Sequence, residues 1–426
     1  MGIEEVFLAS FMSFASFMSL GSFPQMRLAN SRTGRLANSR TGEPPNWRTL
    51  KTFHINMHNA WGGQPNRVLT ESIELQKRGH EVWVAGPRNC ELVRRAAAAG
   101  LRTFDELELR RGVRPLSFLR DVAALKRLFA REKFDVLHTH GSQDTWVTAF
   151  AARAFQPRIP IVRTRHNIFP IGGHLLNQWL YRRCVDHVIT VSPQVNQYLE
   201  SKGLKKPGEI TAIYSAPDLE RFDPAIAPGN LREEFGIRPE DVVVIKVARL
   251  APEKGHVHLV DAAALLRAEF PQVRYFFAGT GRSRPEIEQR IAQHALEGIV
   301  ILAGFRNDVP RLLAMSDIFV LSPVDGESLG TSILEGFLMR LPAVATDVGG
   351  VRESVRDGKT GFLVPPGDPR ALAAALRQLI GDPELRRRLG DAGREMVLRE
   401  FTPAQLAEKT EKVYRIVLSR RSEDIS

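Results

Sequence analysis

Two glutamates, Glu327 and Glu335, stand eight residues apart in the stretch DGESLGTSILEG, with Gly330 between them. A carboxylate pair can supply an acid and a base, but such a pair working across a glycosidic bond must flank it, usually from separate elements. Here the strand-like run DIFVLSP ends at Pro323, and TSILEGFLMR has helical periodicity, with Ile333, Leu334, Phe337 and Leu338 apolar. Glu327 therefore falls in the loop after a strand, and Glu335 about one turn into the following helix. Two carboxylates on one loop–helix unit suit hydrogen-bond acceptors for neighbouring hydroxyls of a single ligand. The N–H groups around Gly330, Thr331 and Ser332 are the unpaired donors of the helix start. They form a cradle for a phosphate or a sugar hydroxyl, aided by the helix dipole.

Such groups need rigid elements to hold them, and the chain supplies two series of them. From Thr49, strand-like runs alternate with helix-like ones: TLKTFHINMH, EVWVAGP, FDVLHTH (134–140), IPIVRTRH (159–166), HVITVSP (187–193) and EITAIYS (209–215). That alternation implies a parallel sheet covered by helices on both faces. The stretch 216–240, with four prolines and two glycines, reads as an interdomain linker with a short helical insert at 231–236. A second alternation follows: VVVIKVARL, VRYFFAGTG, IVILAGF, DIFVLSP, PAVATDVGG and GFLVPPGD, with helices expected at 255–269 and 284–296. Three helices close the chain from 369, the last at about 402–419. The expected division is a low-complexity extension over 1–46, an α/β domain over 47–215, the linker 216–240, a second α/β domain over 241–400, and a terminal helix and tail over 401–426. Two tandem doubly wound domains turn the C-terminal edges of their sheets towards one cleft, where ligands of such folds bind.

The second half resembles the corresponding half of family 4 of the retaining glycosyltransferases, which have the GT-B fold. The resemblance is carried by VARLAPEKG (247–255), FAGTGRSRPEIE (277–288), AGFRNDVPRLLAMSDIFVLSPVDGESLGTSILEG (303–336) and LPAVATDVGGVRESVRDGKTGFLVPPGD (341–368), and extends over about 49–398. It implies that Arg249 and Lys254 clamp the donor diphosphate and support the leaving group as negative charge develops. It also implies that Glu327 accepts from donor-sugar hydroxyls beside the N–H groups of Leu329, Gly330, Thr331 and Ser332, and that Glu335 accepts from the ribose. Gly279 belongs to the glycine turn, and the backbone around Phe305 and Arg306 borders the nucleobase. MHNAWGGQPNRVL is similar to the family's first strand, loop and helix, where Gly62 and Gly63 allow close backbone approach to the diphosphate. DVLHTHGSQDTW (135–146) places His140 at a strand end facing the cleft, against the transferred sugar or acceptor, with His138 deeper and structural. VRTRHN (162–167) offers Arg163, Arg165 and His166 either to the acceptor side or to structural roles.

The implied reaction moves a sugar with retention, by donor ionisation and same-face attack of the acceptor hydroxyl, the protein contributing position and charge. The co-substrate is a nucleotide-sugar, expected from family frequency to be a UDP-sugar, and the acceptor a glycan or lipid-linked molecule of bacterial envelope polysaccharide or lipopolysaccharide synthesis. A sugar-nucleotide epimerase of the same fold is the alternative, which the order Arg249–Lys254–Glu327–Glu335 disfavours. Two departures stand out. YSAPD (214–218) replaces the usual polar–glycine pair near the hinge with Ser215 and Ala216, and Ser328-Leu329 replaces Gly-Phe after the first glutamate.

No Cys/His or carboxylate run has metal-ligand spacing, so no metal and no obligatory cofactor is expected. The absence of G-x-G-x-x-G argues against a dinucleotide site. The net charge of +11 favours anionic partners. Residues 94–133 hold eleven Lys/Arg against five Asp/Glu, and the helix LSFLRDVAALKRLFAREK has Leu116, Leu119, Val122, Ala123 and Leu125 as its expected core-facing stripe. Arg110, Arg111 and Arg114 mark either a solvated face or a landing face for anionic membrane. A nucleic-acid binder is disfavoured, because no basic run is interleaved with aromatics. Cys90 and Cys184 are far apart and suit a reduced compartment. The expected location is cytoplasmic, at the inner face of the inner membrane. Residues 1–46 carry tandem copies (ASFMS at 9 and 15, RLANSRTG at 27 and 35) too short for a solenoid. They read as a disordered tail with Met26 as an alternative start, the other readings being a weak membrane-surface anchor or a signal.

Overall fold

The structure, a computed structural model, describes residues 49–425 except Arg111, Val113, 156–157, 167–170 and 172–174. The extension 1–46, Arg111 of the basic face and the end of VRTRHN lie outside the described residues.

Seven strands form the first sheet: β1 (Lys51–Ile55), β2 (Glu81–Pro87), β3 (Arg102–Leu107), β4 (Val136–Thr139), β5 (Ile161–Arg165), β6 (His187–Thr190) and β7 (Ile210–Ala212). Their order is β3-β2-β1-β4-β5-β6-β7, and every pairing is parallel. The second sheet has β8 (Val242–Val247), β9 (Val273–Ala278), β10 (Val300–Gly304), β11 (Ile318–Leu321), β12 (Ala343–Thr346) and β13 (Gly361–Val364). It runs β10-β9-β8-β11-β12-β13, again all parallel. This is the two-domain GT-B arrangement. Strand order reverses between β1 and β4 in one sheet and between β8 and β11 in the other. Beyond the carboxyl ends of those four strands, helices diverge to opposite faces and leave a crevice.

Strand β3 has no counterpart among the strand-like runs of the sequence. It is the edge of its sheet, and Arg102, Asp105 and Glu106 are exposed on it, so it lacks the apolar run of a central strand. The basic helix, Pro115–Arg131, is rotated from the expected register. Val122 and Leu125 are buried, but Leu116 is 72% exposed, and Leu119 and Ala123 also face solvent. Ser117, Asp121 and Leu128 take the inner face instead, because the Asp121 carboxylate accepts from the backbone N–H groups of Glu108 and Leu109 and fixes the helix there.

The linker stretch is packed: Phe222, Leu231 and Ile237 are buried in the core of the second domain with Ile245, Phe319 and Phe337. Its helical insert is Leu231–Glu234. The last helix, Pro403–Ile425, crosses back to the first domain. Its Leu406, Ala407, Val413, Tyr414 and Val417 join Val68, Leu75, Val84 and Val136 in one core. Each such apolar side chain contributes roughly 1.5–3 kcal/mol to holding the helix there. Among the described residues no helix is long and apolar enough to cross a membrane.

Candidate functional site

Arg249, Lys254 and Glu327 lie at the strand-order reversal of the second sheet, and Gly62, Gly63 and His140 at that of the first. On the second domain, β8 runs into Arg249 and a short turn, Pro252–Lys254, while β11 runs into the loop bearing Glu327. The two connections are stitched together. Val324 N–H donates to the Glu253 carbonyl (2.9 Å), and Gly255, at φ +61°, passes so close that a Cβ there would lie 2.1 Å from the Ser322 carbonyl oxygen. Only glycine permits both that φ and that approach. Lys254 Nζ consequently donates to Glu327 Oε2 at 2.7 Å, both side chains largely shielded from solvent. Arg249, five residues earlier, is 76% exposed at its side chain and pairs with Glu253 at 3.3 Å.

A second close approach holds the Glu327 loop from the other side. Gly349, at φ +59°, would place a Cβ 1.9 Å from the Glu327 carbonyl oxygen, and Gly350 N–H donates to that same oxygen at 3.2 Å. Gly330 then caps the helix Thr331–Leu338, with no side chain satisfying its first N–H groups. Among the described residues no side chain takes the helix-start donors beside Glu327. Glu335 lies one turn along this helix. It is partly exposed, and its carboxylate has no hydrogen-bond partner among the described residues. Burial pushes its carboxyl up to about 7, against the pull of Arg221.

Phe305, after β10, is 71% exposed. The Arg306 guanidinium is turned away onto Asp308 (2.8 and 2.6 Å) and Glu234 (3.0 Å), so only its backbone borders this edge. Gly279, after β9, donates its N–H to the Gly304 carbonyl at 2.8 Å and ties the two turns together.

On the first domain, Gly62 is extended and Gly63 begins the helix Gly63–Lys77, which no side chain caps. Among the described residues a Cβ at either glycine would meet nothing within 4 Å. Gln64 Nε2 donates to the His140 carbonyl at 2.6 Å and locks this loop to the end of β4. His140 does not face the cleft as expected: it is buried, with Nδ1 3.1 Å from His166 Nε2 and Nε2 3.3 Å from His54 Nδ1, so its ring is held behind His166. The two domains meet beside them, where Ser328 Oγ donates to the His166 carbonyl at 3.0 Å. Arg163 and Arg165 are placed elsewhere. Both are buried, Arg163 over the Tyr181 ring at 4.8 Å with Nη2 3.4 Å from Ser142 Oγ, and Arg165 with Nη1 3.3 Å from the Tyr181 hydroxyl. His166, at the strand end, is the member of that motif that reaches the edge.

Sequence spacing did not disclose three features. Lys246, in the apolar run of β8, is fully buried and donates to the Lys254 carbonyl (2.6 Å) and Ser322 Oγ (2.5 Å), supporting the turn from beneath. Burial pushes its amine far below the ordinary lysine range. A lysine inside VVVIKV was the available signal. Arg67, also buried, donates to the Ile213 carbonyl at 2.8 Å and to Ser215 Oγ at 3.2 Å, so the altered hinge sequence is anchored through its serine. The fold also brings His54, Glu71, His138 and His140 together, with ligand-type atoms within 4.8 Å of one another. All six ring nitrogens of those histidines are within hydrogen-bond distance of protein groups, so the cluster is built as a hydrogen-bond network.

Residues 229–396 match the family model for glycosyl transferases group 1, and residues 61–221 match that for Glycosyltransferase Family 4. The chain is 33% identical over 303 residues to EpsD of Bacillus subtilis (strain 168), assigned as a glycosyltransferase, covering 68% of this chain and 78% of that one. It is 27% identical over 296 residues to the UDP-Gal:alpha-D-GlcNAc-diphosphoundecaprenol alpha-1,3-galactosyltransferase of Escherichia coli, covering 66% and 76%. Among solved structures, HepE of Anabaena in complex with UDP and glucose superposes with a TM-score of 0.73 at 21% identity, over 85% of this chain and 98% of that one.

Proposed function

Because the chain belongs to family 4 of the glycosyltransferases, we propose that it transfers a hexose, with retention of anomeric configuration, from a UDP-sugar to a lipid-linked or glycan acceptor of bacterial envelope synthesis. The observation that carries the reading is the Lys254–Glu327 pair set beside an uncapped helix start, at the strand-order reversal of the second sheet. Lys254, with the exposed Arg249 in reach of solvent, supplies positive charge for a departing diphosphate. Glu327 and the N–H groups of Leu329 to Ser332 offer acceptors and donors to sugar hydroxyls. Glu335, unpartnered, offers its carboxylate to the ribose. Gly62 and Gly63 leave room for the diphosphate against the first domain, and His166 faces the acceptor, with the buried His140 hydrogen-bonded behind it.

In this reading the protein holds and stabilises rather than supplying a nucleophile. The diphosphate oxygen that leaves takes the acceptor proton, and the new bond forms on the face the diphosphate has left. A UDP-sugar is supported by the UDP in the HepE structure and by the name of the Escherichia coli relative, and a lipid-linked acceptor by that relative's diphosphoundecaprenol substrate. Exposed Leu116 and Leu119 on the basic helix suit a peripheral contact with anionic membrane. No metal enters the scheme.

The test is a panel of UDP-, GDP- and ADP-sugars screened for thermal stabilisation, since a donor binding the folded state raises Tm. A UDP-sugar is expected to give the largest shift and to be consumed only when acceptor is added. Conversion of the donor to an epimer without acceptor would instead support an isomerase.

A further inference from the structure

The structure assigns Tyr414, on the C-terminal helix, as a positioning residue that fixes the ring and proton of His140 and, through it, of His166; the catalytic half of this inference rests on the reading of His166 given above. His54 and His138 are register partners on the neighbouring strands β1 and β4 and point to the same face of the sheet. The Tyr414 hydroxyl lies between them, 2.7 Å from His138 Nδ1 and 3.1 Å from His54 Nε2. His138 Nε2 is 2.7 Å from Thr164 Oγ1, and His54 Nδ1 is 3.3 Å from His140 Nε2. His140 Nδ1 continues to His166 Nε2 at 3.1 Å. Six side chains therefore form one unbranched hydrogen-bonded chain from the sheet interior to the cleft edge.

The proton positions along it are not independent. Burial holds His54 at about 3 and keeps His138, His140 and His166 well below the ordinary histidine range, so each ring is neutral with one donor and one acceptor. A neutral ring that accepts on one side must donate on the other, and the Tyr414 hydroxyl, whose partners among the described residues are these two rings, satisfies its hydrogen by donating to one and accepting from the other. The whole chain must run in one direction. Thr164 Oγ1 is buried and has no other hydrogen-bond partner among the described residues. Its hydrogen is satisfied only if it donates to His138 Nε2, and an unmade buried donor is costly. The order follows: His138 Nδ1–H donates to Tyr414, the Tyr414 hydroxyl to His54 Nε2, His54 Nδ1–H to His140 Nε2, and His140 Nδ1–H to His166 Nε2. His140 is thereby held as the Nδ1–H tautomer by a residue more than 270 positions away in sequence, on the helix that returns from the second domain. Docking of that helix and the proton on His140 are one structural event.

The experiment is nitrogen-15 NMR of the histidine rings in the full-length protein, wild type against Tyr414→Phe, with steady-state kinetics on both. The wild type is expected to show His54, His138 and His140 as Nδ1–H. In Tyr414→Phe, His138 has lost its acceptor and turns to the Nε2–H form, and His140 no longer holds one tautomer. The expected kinetic result is a kcat lower by roughly threefold to tenfold, one hydrogen bond's worth, with the donor KM little changed. His54→Phe, which cuts the chain at the next link, must give the same change at His140, and the double variant no more than either single one. An Nε2–H His140 in the wild type, histidine spectra unaltered in Tyr414→Phe, or a stoichiometric metal bound by the histidines would overturn the assignment. Altered tautomers with unchanged kcat would overturn the catalytic half while leaving glycosyl transfer intact.

Discussion

Replacing Glu335 by Gln should stabilise the protein above neutral pH and weaken its hold on nucleotide. The carboxyl is raised by burial from 4.5 to about 7 and has no hydrogen-bond partner among the described residues. Between those two values the folded state keeps a proton that the unfolded chain has released, so stability falls as pH rises through the window. Below 4.5 the penalty is absent, and above 7 it is complete. A shift of that size corresponds to about 3 kcal/mol, which solvent at the partly exposed carboxyl reduces to about 1–2 kcal/mol. Glutamine carries no charge and escapes the slope. Chemical denaturation of wild type and Glu335→Gln at pH 5 and pH 8 is expected to show the variant's relative stability growing by about 1–2 kcal/mol between them. Titration with UDP at pH 8 should show binding weakened about 10- to 100-fold, the value of a charge-assisted hydrogen bond to the ribose. A pH-independent stability difference would refute the burial argument. Unchanged UDP affinity would refute the ribose role.

Lys254→Ala and Glu327→Ala should each cut transfer by at least about a hundredfold while circular dichroism and elution volume stay as in wild type; normal turnover in either would sink the donor-site reading. Gly349→Ala must displace the Glu327 carbonyl from a Cβ 1.9 Å away at a φ of +59°, so activity is expected to collapse with a fall in Tm of only a few degrees. A fully active alanine variant would show that the loop position does not matter. Lys246→Met leaves the Lys254 carbonyl without its buried donor, and kcat should drop roughly tenfold in assays at saturating donor. A kcat equal to wild type would mean the turn holds itself.

Much of the architecture was legible in the residues. Runs such as VVVIKVARL and DIFVLSP are apolar on both faces, as central parallel strands must be, and all six strands of the second sheet were readable from them. Strand β3 was not, since an edge strand with Asp105 and Glu106 exposed carries no such run. The rotation of Pro115–Arg131 was hidden because Asp121, polar in sequence, is drawn inward by two backbone donors. Glu327, Lys254 and the open helix start were visible as a motif, because one strand–loop–helix unit holds them. The histidine chain was invisible for the opposite reason. His54, His138, Thr164 and Tyr414 come from three strands and a returning helix, and only strand register and helix docking bring them together.

The most direct test of the central claim is the anomeric configuration of the product made from a donor of known configuration. Proton NMR of the product from an α-configured UDP-sugar and a lipid-linked acceptor should show an α linkage, with UDP released in equal amount. A β linkage, or loss of UDP without a glycosylated acceptor, would contradict retaining transfer by the Lys254–Glu327 site.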